Sequence, residues 1–328
     1  MAIKHEALAY LMYAAMVLYL AAGAGFLARP KWGALGLLIL GGALAAVGAV
    51  LYAAAAPANL ERIETAKALV AAAGLAGAAL AAYVAAALVF ARSRWIGWTF
   101  YGAACGASAA AFIVRWVEVD HVPLQCMFEV FLCLGMLIMP ITLFCRRFLA
   151  VGGEAADGVL GFIILFPAGF IFHAEPQKLP PALQSFLFFP HVSAYMLSYV
   201  IMAKAAVPAA VRFFSERPRG NPDAIAYDLA AHRMVSLGFP LLTLGLVLGA
   251  VWGKIAWGDY WNWDPKELWS FVSWLIYLAY LHFRSIYGAR FPRVLSVLIL
   301  AGLAAIILTL VWVNLARIFG GGMHSYAS

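Results

Sequence analysis

Few residues in this chain can do chemistry, and three of its seven histidines stand apart. They are His191 in FFPHVSAY, His282 in LAYLHFR and His324 in GGMHSYAS. Neutral imidazole is the commonest side-chain metal ligand. Between the first two lies WGDYWNWDPKELW, residues 257–269, with four tryptophans in thirteen positions. Its DPKE core reads as a helix start. Asp264 is a natural N-cap, Pro265 takes the first helical position without losing a needed N–H, and Glu267 can close a capping box. An interfacial aromatic belt explains Trp269 and Trp274 as well as a ligand would. It explains Trp252, Trp257, Trp261 and Trp263 poorly, because these are interleaved with Gly253 and Gly258, where a backbone or a ligand can come close. A dense aromatic shelf beside a capped helix end suits a flat apolar ligand.

The elements that position these residues are membrane spans. Hydrophobic residues make up 66% of the 328, charged residues 11%, and the mean hydropathy is +0.91. Soluble domains carry about 25% charged residues. Runs near twenty apolar residues recur throughout, so the expected fold is all-α, a polytopic membrane helical bundle of about ten transmembrane helices. The spans read as 7–28, 33–56, 67–91, 98–118, 125–145, 156–173, 186–211, 236–253, 267–285 and 294–318. The first reads as a retained span, with no clear cleavage site before Arg29. The first two, rich in Ala, Gly and Leu, read as packing helices without an intramembrane polar group. In the loop 212–235, SERPRGNPD is a turn-rich break and AIAYDLAAHRM a short surface helix.

Charge then sets the topology. Five alternate loops carry the arginines, among them Arg92, Arg94, Arg146, Arg147, Arg212, Arg284, Arg290 and Arg293. The positive-inside rule puts them in the cytoplasm. The net charge of +7 thus reports topology rather than a nucleic-acid partner. His191, the tryptophan loop and His324 then share the external face, where two imidazoles across a gap can ligate a haem iron axially. His282 sits near the cytoplasmic end of its span, where an ionisable group is costly and a functional candidate by default. For each histidine taken singly, a bond to a neighbouring helix is the competing reading. Arg115, Lys254 and Lys266 can bind carboxylates such as haem propionates, although a buried arginine normally pairs, and Glu118 or Glu129 can satisfy Arg115. Cys105, Cys126, Cys133 and Cys145 form no CxxC pair, so no disulfide framework or thiolate site is expected.

HRMVSLGFPLLTLGLVLGAVWGKIAWGDYWNWDPKELWSFVSWLIYLAYLHFR, residues 232–284, resembles the signature of the haem-handling membrane proteins. Within that group it is similar to the CcsA (ResC) subunits of the system II cytochrome c synthase, and WGDYWNWDPKE matches their WWD motif. RWVEVDHVPLQCMFE (115–129), PALQSFLFFPHVSAYMLSY (181–199) and GGMHSYAS (321–328) fit the same family. The resemblance covers about 67–328, the eight-helix family core, with the WWD segment at 252–269. Residues 1–66 form two extra N-terminal helices.

The resemblance implies cytochrome c biogenesis, with haem b carried across the membrane and joined by thioethers to an apocytochrome c CxxCH; the Ala-rich extra spans favour the bacterial inner (plasma) membrane over the thylakoid. It implies that His191 and His324 are the external axial ligands and that His282 belongs to a transmembrane haem site. Trp252, Trp257, Trp261, Trp263 and Asp264 would form the haem platform. The implied partners are CcsB (ResB), which would supply the second ligand of the inner site, the apocytochrome, a thioredoxin-like thiol reductant and membrane lipid. Activity would be that of a holocytochrome c synthase component, a lyase without a protein nucleophile. A CcmC-like haem chaperone that passes haem on without ligation is the alternative. An electron-transfer cytochrome b subunit fits less well, since it needs histidine pairs inside the bilayer.

Overall fold

The computed structural model describes residues 2–27, 94–172, 178–214 and 222–312. They form eight α-helices and no strand among the described residues. The helices are α1 (Ala2–Leu27), α2 (Arg94–Val119), α3 (Met127–Phe148), α4 (Glu154–Phe170), α5 (Phe188–Phe214), α6 (Pro222–Trp257), α7 (Pro265–Tyr287) and α8 (Pro292–Ile307). A π-helical turn, Leu308–Trp312, continues α8. Five of these stretches are long and apolar enough to cross a bilayer: Gly97–Val119, Met127–Phe148, Phe188–Phe214, Ile225–Trp257 and Pro292–Val311. The chain is a polytopic helical membrane protein. The spans expected at 33–56 and 67–91, with the boundary at residue 66, lie outside the described residues.

One expectation fails within the described part. AIAYDLAAHRM is not a separate surface helix; it is the first third of α6, which runs unbroken for 36 residues. At 1.5 Å per residue that is about 54 Å, far beyond the ~30 Å hydrocarbon core. Hydropathy falls over 223–233, but the helix continues through it. Asp228 stays helical because it faces Arg212 of α5 at 3.5 Å.

The first helix is also more than filler. Its Tyr19 donates to the Gly135 carbonyl of α3 at 2.6 Å and stands edge-on to Tyr101 of α2. Gly158 of α4 lies so close to α1 that a Cβ there would meet Gly23 Cα at 2.7 Å. The expected absence of intramembrane polar groups in this span overlooked that hydroxyl.

The loops 120–126, 178–187 and 257–264 gather at one end, called here the tryptophan end. Trp252 Nε1 donates to the Ala182 carbonyl at 3.1 Å and Gln125 Nε2 to the Lys178 carbonyl at 3.4 Å. Toward the opposite end, Lys204 of α5 pairs with Asp157 of α4. Thr142 of α3 donates to the same carboxylate at 2.8 Å, and Tyr101 of α2 is 3.0 Å from Thr142. Both charges are about 2–3% exposed, so this knot joins four helices away from water. Removing one partner of such a pair costs about 3–5 kcal/mol, whereas replacing both by apolar groups is often neutral. Lys204→Met should therefore lower the detergent melting temperature sharply, and adding Asp157→Leu should restore most of the loss. Thermal unfolding of the two variants beside the parent checks this.

Candidate functional site

At the tryptophan end a cavity of about 160 Å³ is walled by α3, α5, α6, α7, the loop between α6 and α7, and the π-turn after α8. Its polar lining includes His191, Tyr195, Tyr199, Lys266, Ser270 and Thr309. Trp252, Trp257 and Trp261 supply aromatic wall.

His191 lies in the first turn of α5. Its Nδ1 is 2.8 Å from the Gly245 carbonyl of α6. A carbonyl only accepts, so Nδ1 carries a proton, and in the neutral ring Nε2 is the nitrogen with the lone pair. That is the arrangement in which metal-binding histidines are held, with the non-ligating nitrogen donating to a fixed acceptor. Tyr195 stands edge-on to the imidazole at 5.1 Å between ring centres, and Trp252 tilts over it at 5.5 Å. Trp257 packs against Trp252 at 5.3 Å, continuing the shelf. A neutral imidazole beside contiguous indoles suits a metal carried in a flat apolar ring.

The remaining candidate residues separate by position. Asp264 is buried and accepts from the Lys266 N–H at 2.8 Å. Glu267 Oε2 accepts from the Asp264 and Asn262 N–H groups at 3.3 and 2.8 Å. The DPKE stretch is thus the capping box that starts α7, with Asp264 outside the cavity wall and Lys266 and Glu267 in it. Trp263 turns away from the cavity, is 69% exposed and holds a left-handed φ of 58°. Such a backbone costs a bulky residue about 1–3 kcal/mol and persists only where its surroundings impose it. Here Asp264 caps on one side and Trp261 packs edge-on at 6.0 Å on the other.

The three cations part as well. Arg115 is fully buried between Glu129 at 2.9 Å and Glu118 at 3.0 Å, the carboxylates that the sequence offered it. Glu129 also accepts from the Gln125 and Cys126 N–H groups, so this cluster builds the start of α3. Lys254 donates to the Gly258 carbonyl and lies over Tyr260. Lys266 alone of the three lines the cavity. Withdrawal from water pushes its ammonium down to about 8, partly opposed by Asp264.

His282 is exposed near the far end of α7, away from this cavity. His324 lies outside the described residues. Sequence reasoning passed over Tyr195, Tyr199, Gly245 and Gly249. The signal was present, since His191, Tyr195 and Tyr199 recur every four residues, as do Gly245 and Gly249, and such positions share one helix face.

Residues 103–319 match the family described as "Cytochrome C assembly protein". The chain belongs to the cytochrome c assembly protein family. The match encloses every residue that lines the cavity and leaves α1 outside. Curated relatives carry the name "cytochrome c biogenesis protein CcsA". The one from Guillardia theta is 31% identical over 73% of this chain and 89% of its own length. Those from Microcystis aeruginosa and Prochlorococcus marinus are 30% and 31% identical, each over 66% of this chain and over 83% and 79% of their own lengths.

In this family member the cap makes a separable prediction. Asp264→Ala should cost about 1 kcal/mol of stability, while Asp264→Asn, an equally good N-cap, should cost little. Melting temperatures of the two variants check it. Equal damage from both would mean that the carboxylate charge does more than cap.

Proposed function

We propose that this protein is the CcsA (ResC) half of a system II cytochrome c synthase, acting with CcsB (ResB) in the bacterial inner membrane. In this reading the tryptophan end faces outward and holds haem b for thioether attachment to the CxxCH of apocytochrome c. One observation carries the reading: His191, held by the Gly245 carbonyl through Nδ1–H, lines a tryptophan-walled cavity. The family match and the CcsA relatives support the same role.

Haem supplies the iron that imidazole ligates and the two vinyl groups that react. Each cysteine S–H adds across one vinyl double bond: a C–S bond forms, the proton ends on the other vinyl carbon, and nothing leaves. The chain's own work is therefore binding and orientation, which can account for much of a rate enhancement. His191 and His324 would hold the haem iron, and Trp252, Trp257 and Trp261 would support the ring. The enclosed space is smaller than the ~300–1,000 Å³ typical of small-molecule pockets. A macrocycle would lie partly outside it, with an edge open to an incoming peptide. Lys266 is the cation placed to meet a propionate, since Arg115 is engaged by two carboxylates and Lys254 lies off the cavity. His282, exposed on α7, would meet its second ligand from CcsB in an inner haem station, and a thioredoxin-like protein would keep the substrate thiols reduced.

Visible spectra of the protein co-expressed with CcsB, reduced and oxidised, test this beside His191→Ala and His324→Ala. The expected result is a bis-histidine spectrum in the parent, disturbed in both variants and restored by added imidazole. Haem with an unaltered spectrum in both variants would overturn the axial assignment. Haem without any thioether product on a co-expressed apocytochrome would favour delivery to a carrier. Lys266 adds a pH signature. It is charged below about 8 and loses charge as pH rises through that value, so haem affinity should fall above pH 8. Lys266→Met should abolish the step and Lys266→Arg should hold affinity through it; haem titrations from pH 6.5 to 9.5 check this.

A further inference from the structure

We infer that Gly245 and Gly249 of α6 are positioning residues for His191, one fixing which nitrogen ligates and the other making room for the ring. This rests on the axial-ligand reading above and extends it to the α6 backbone behind the ligating ring. The two glycines lie one turn apart on the face of α6 that meets α5. The Gly245 carbonyl accepts from Nδ1–H at 2.8 Å, so Nε2 is the nitrogen left to bind a metal. A Cβ at Gly249 would stand 2.6 Å from His191 Cε1, closer than real Cβ atoms approach, and 3.0 Å from Nδ1. The imidazole therefore occupies the space that any side chain at 249 would take.

Gly245 acts twice. A Cβ there would come within 2.9 Å of the Tyr195 ring, and Tyr195 is the edge-on wall of the imidazole. The opposite wall, Trp252, is held by its bond to the Ala182 carbonyl. The ring is thus confined by backbone below and by two aromatic side chains, with its tautomer set by one carbonyl. Ligand partners of this kind typically govern metal affinity by about 10–100-fold.

The same helix carries a milder control. Gly238 faces α5 too, its carbonyl accepts from Ser198 at 2.9 Å, and a Cβ there would meet Met202 at 3.0 Å. Gly238→Ala disturbs the α5–α6 contact without touching His191.

The experiment titrates haem into the purified full chain and into the Gly249→Ala, Gly238→Ala and His191→Ala variants, reading spectrum, affinity and reduction potential. Gly249→Ala should bind haem about 10–100-fold more weakly, with a changed axial spectrum that added imidazole restores. Gly238→Ala should keep the parent spectrum and potential. Equal effects from both alanines, or none from Gly249→Ala while His191→Ala changes the spectrum, would overturn the inference and leave the axial assignment standing. If His191→Ala itself changes nothing, the axial assignment fails. Nitrogen NMR of the haem-free, 15N-histidine-labelled chain then decides the positioning alone. A fixed Nδ1–H tautomer at His191 that Gly249→Ala releases supports it, and one that survives Gly249→Ala overturns it.

Discussion

The close approach of α5 to α6 at the tryptophan end is the contact on which the site depends. It brings an imidazole from one helix against the bare backbone of the other, so the histidine is seated by atoms that cannot rotate away. Trp252 then follows from the same helix one turn beyond Gly249, and the loop that leaves α6 carries Trp257 and Trp261 around the remaining wall. The capping box at Asp264 ends that loop and starts α7, which fixes where Lys266 and Ser270 enter the cavity. Local rules of chain geometry thus place a chemically simple set of groups.

The far part of the bundle solves a different problem. A lysine and an aspartate share a dry interior, and such charges are tolerated only when fully paired and hydrogen-bonded. Thr142 and Tyr101 complete the bonding, so α2, α3, α4 and α5 are tied by one network. Arg115 with Glu118 and Glu129 makes a similar anchor toward the tryptophan end. Between these anchors the helices pack mostly through apolar side chains and glycine contacts, as membrane helices do without a hydrophobic drive between them.

Features that depend on consecutive residues were legible in the sequence. The Asp264 cap needs only four adjacent positions, and the apolar spans need only composition. Glu118 as a partner for Arg115 follows from i, i+3 spacing on one helix. Contacts across the fold were not legible. Lys204 and Asp157 are 47 residues apart, and each alone reads as an unexplained charge in an apolar run. Gly245 and Gly249 look like ordinary small residues of a membrane helix until His191 is seen to lie on them. The length of α6 was missed because charge density, taken as a sign of a loop, was balanced by a partner on α5. The outward-turned Trp263 could not be told from its inward neighbours, since a left-handed residue leaves no mark in composition.

The most direct test of the central claim is an experimental structure of the full chain loaded with haem b. Iron is expected within bonding distance of His191 Nε2, with the ring plane against Trp252 and Trp257 and His191 Nδ1 still on the Gly245 carbonyl. A porphyrin found elsewhere, with His191 packed against Gly249 and making no bond to iron, would contradict it.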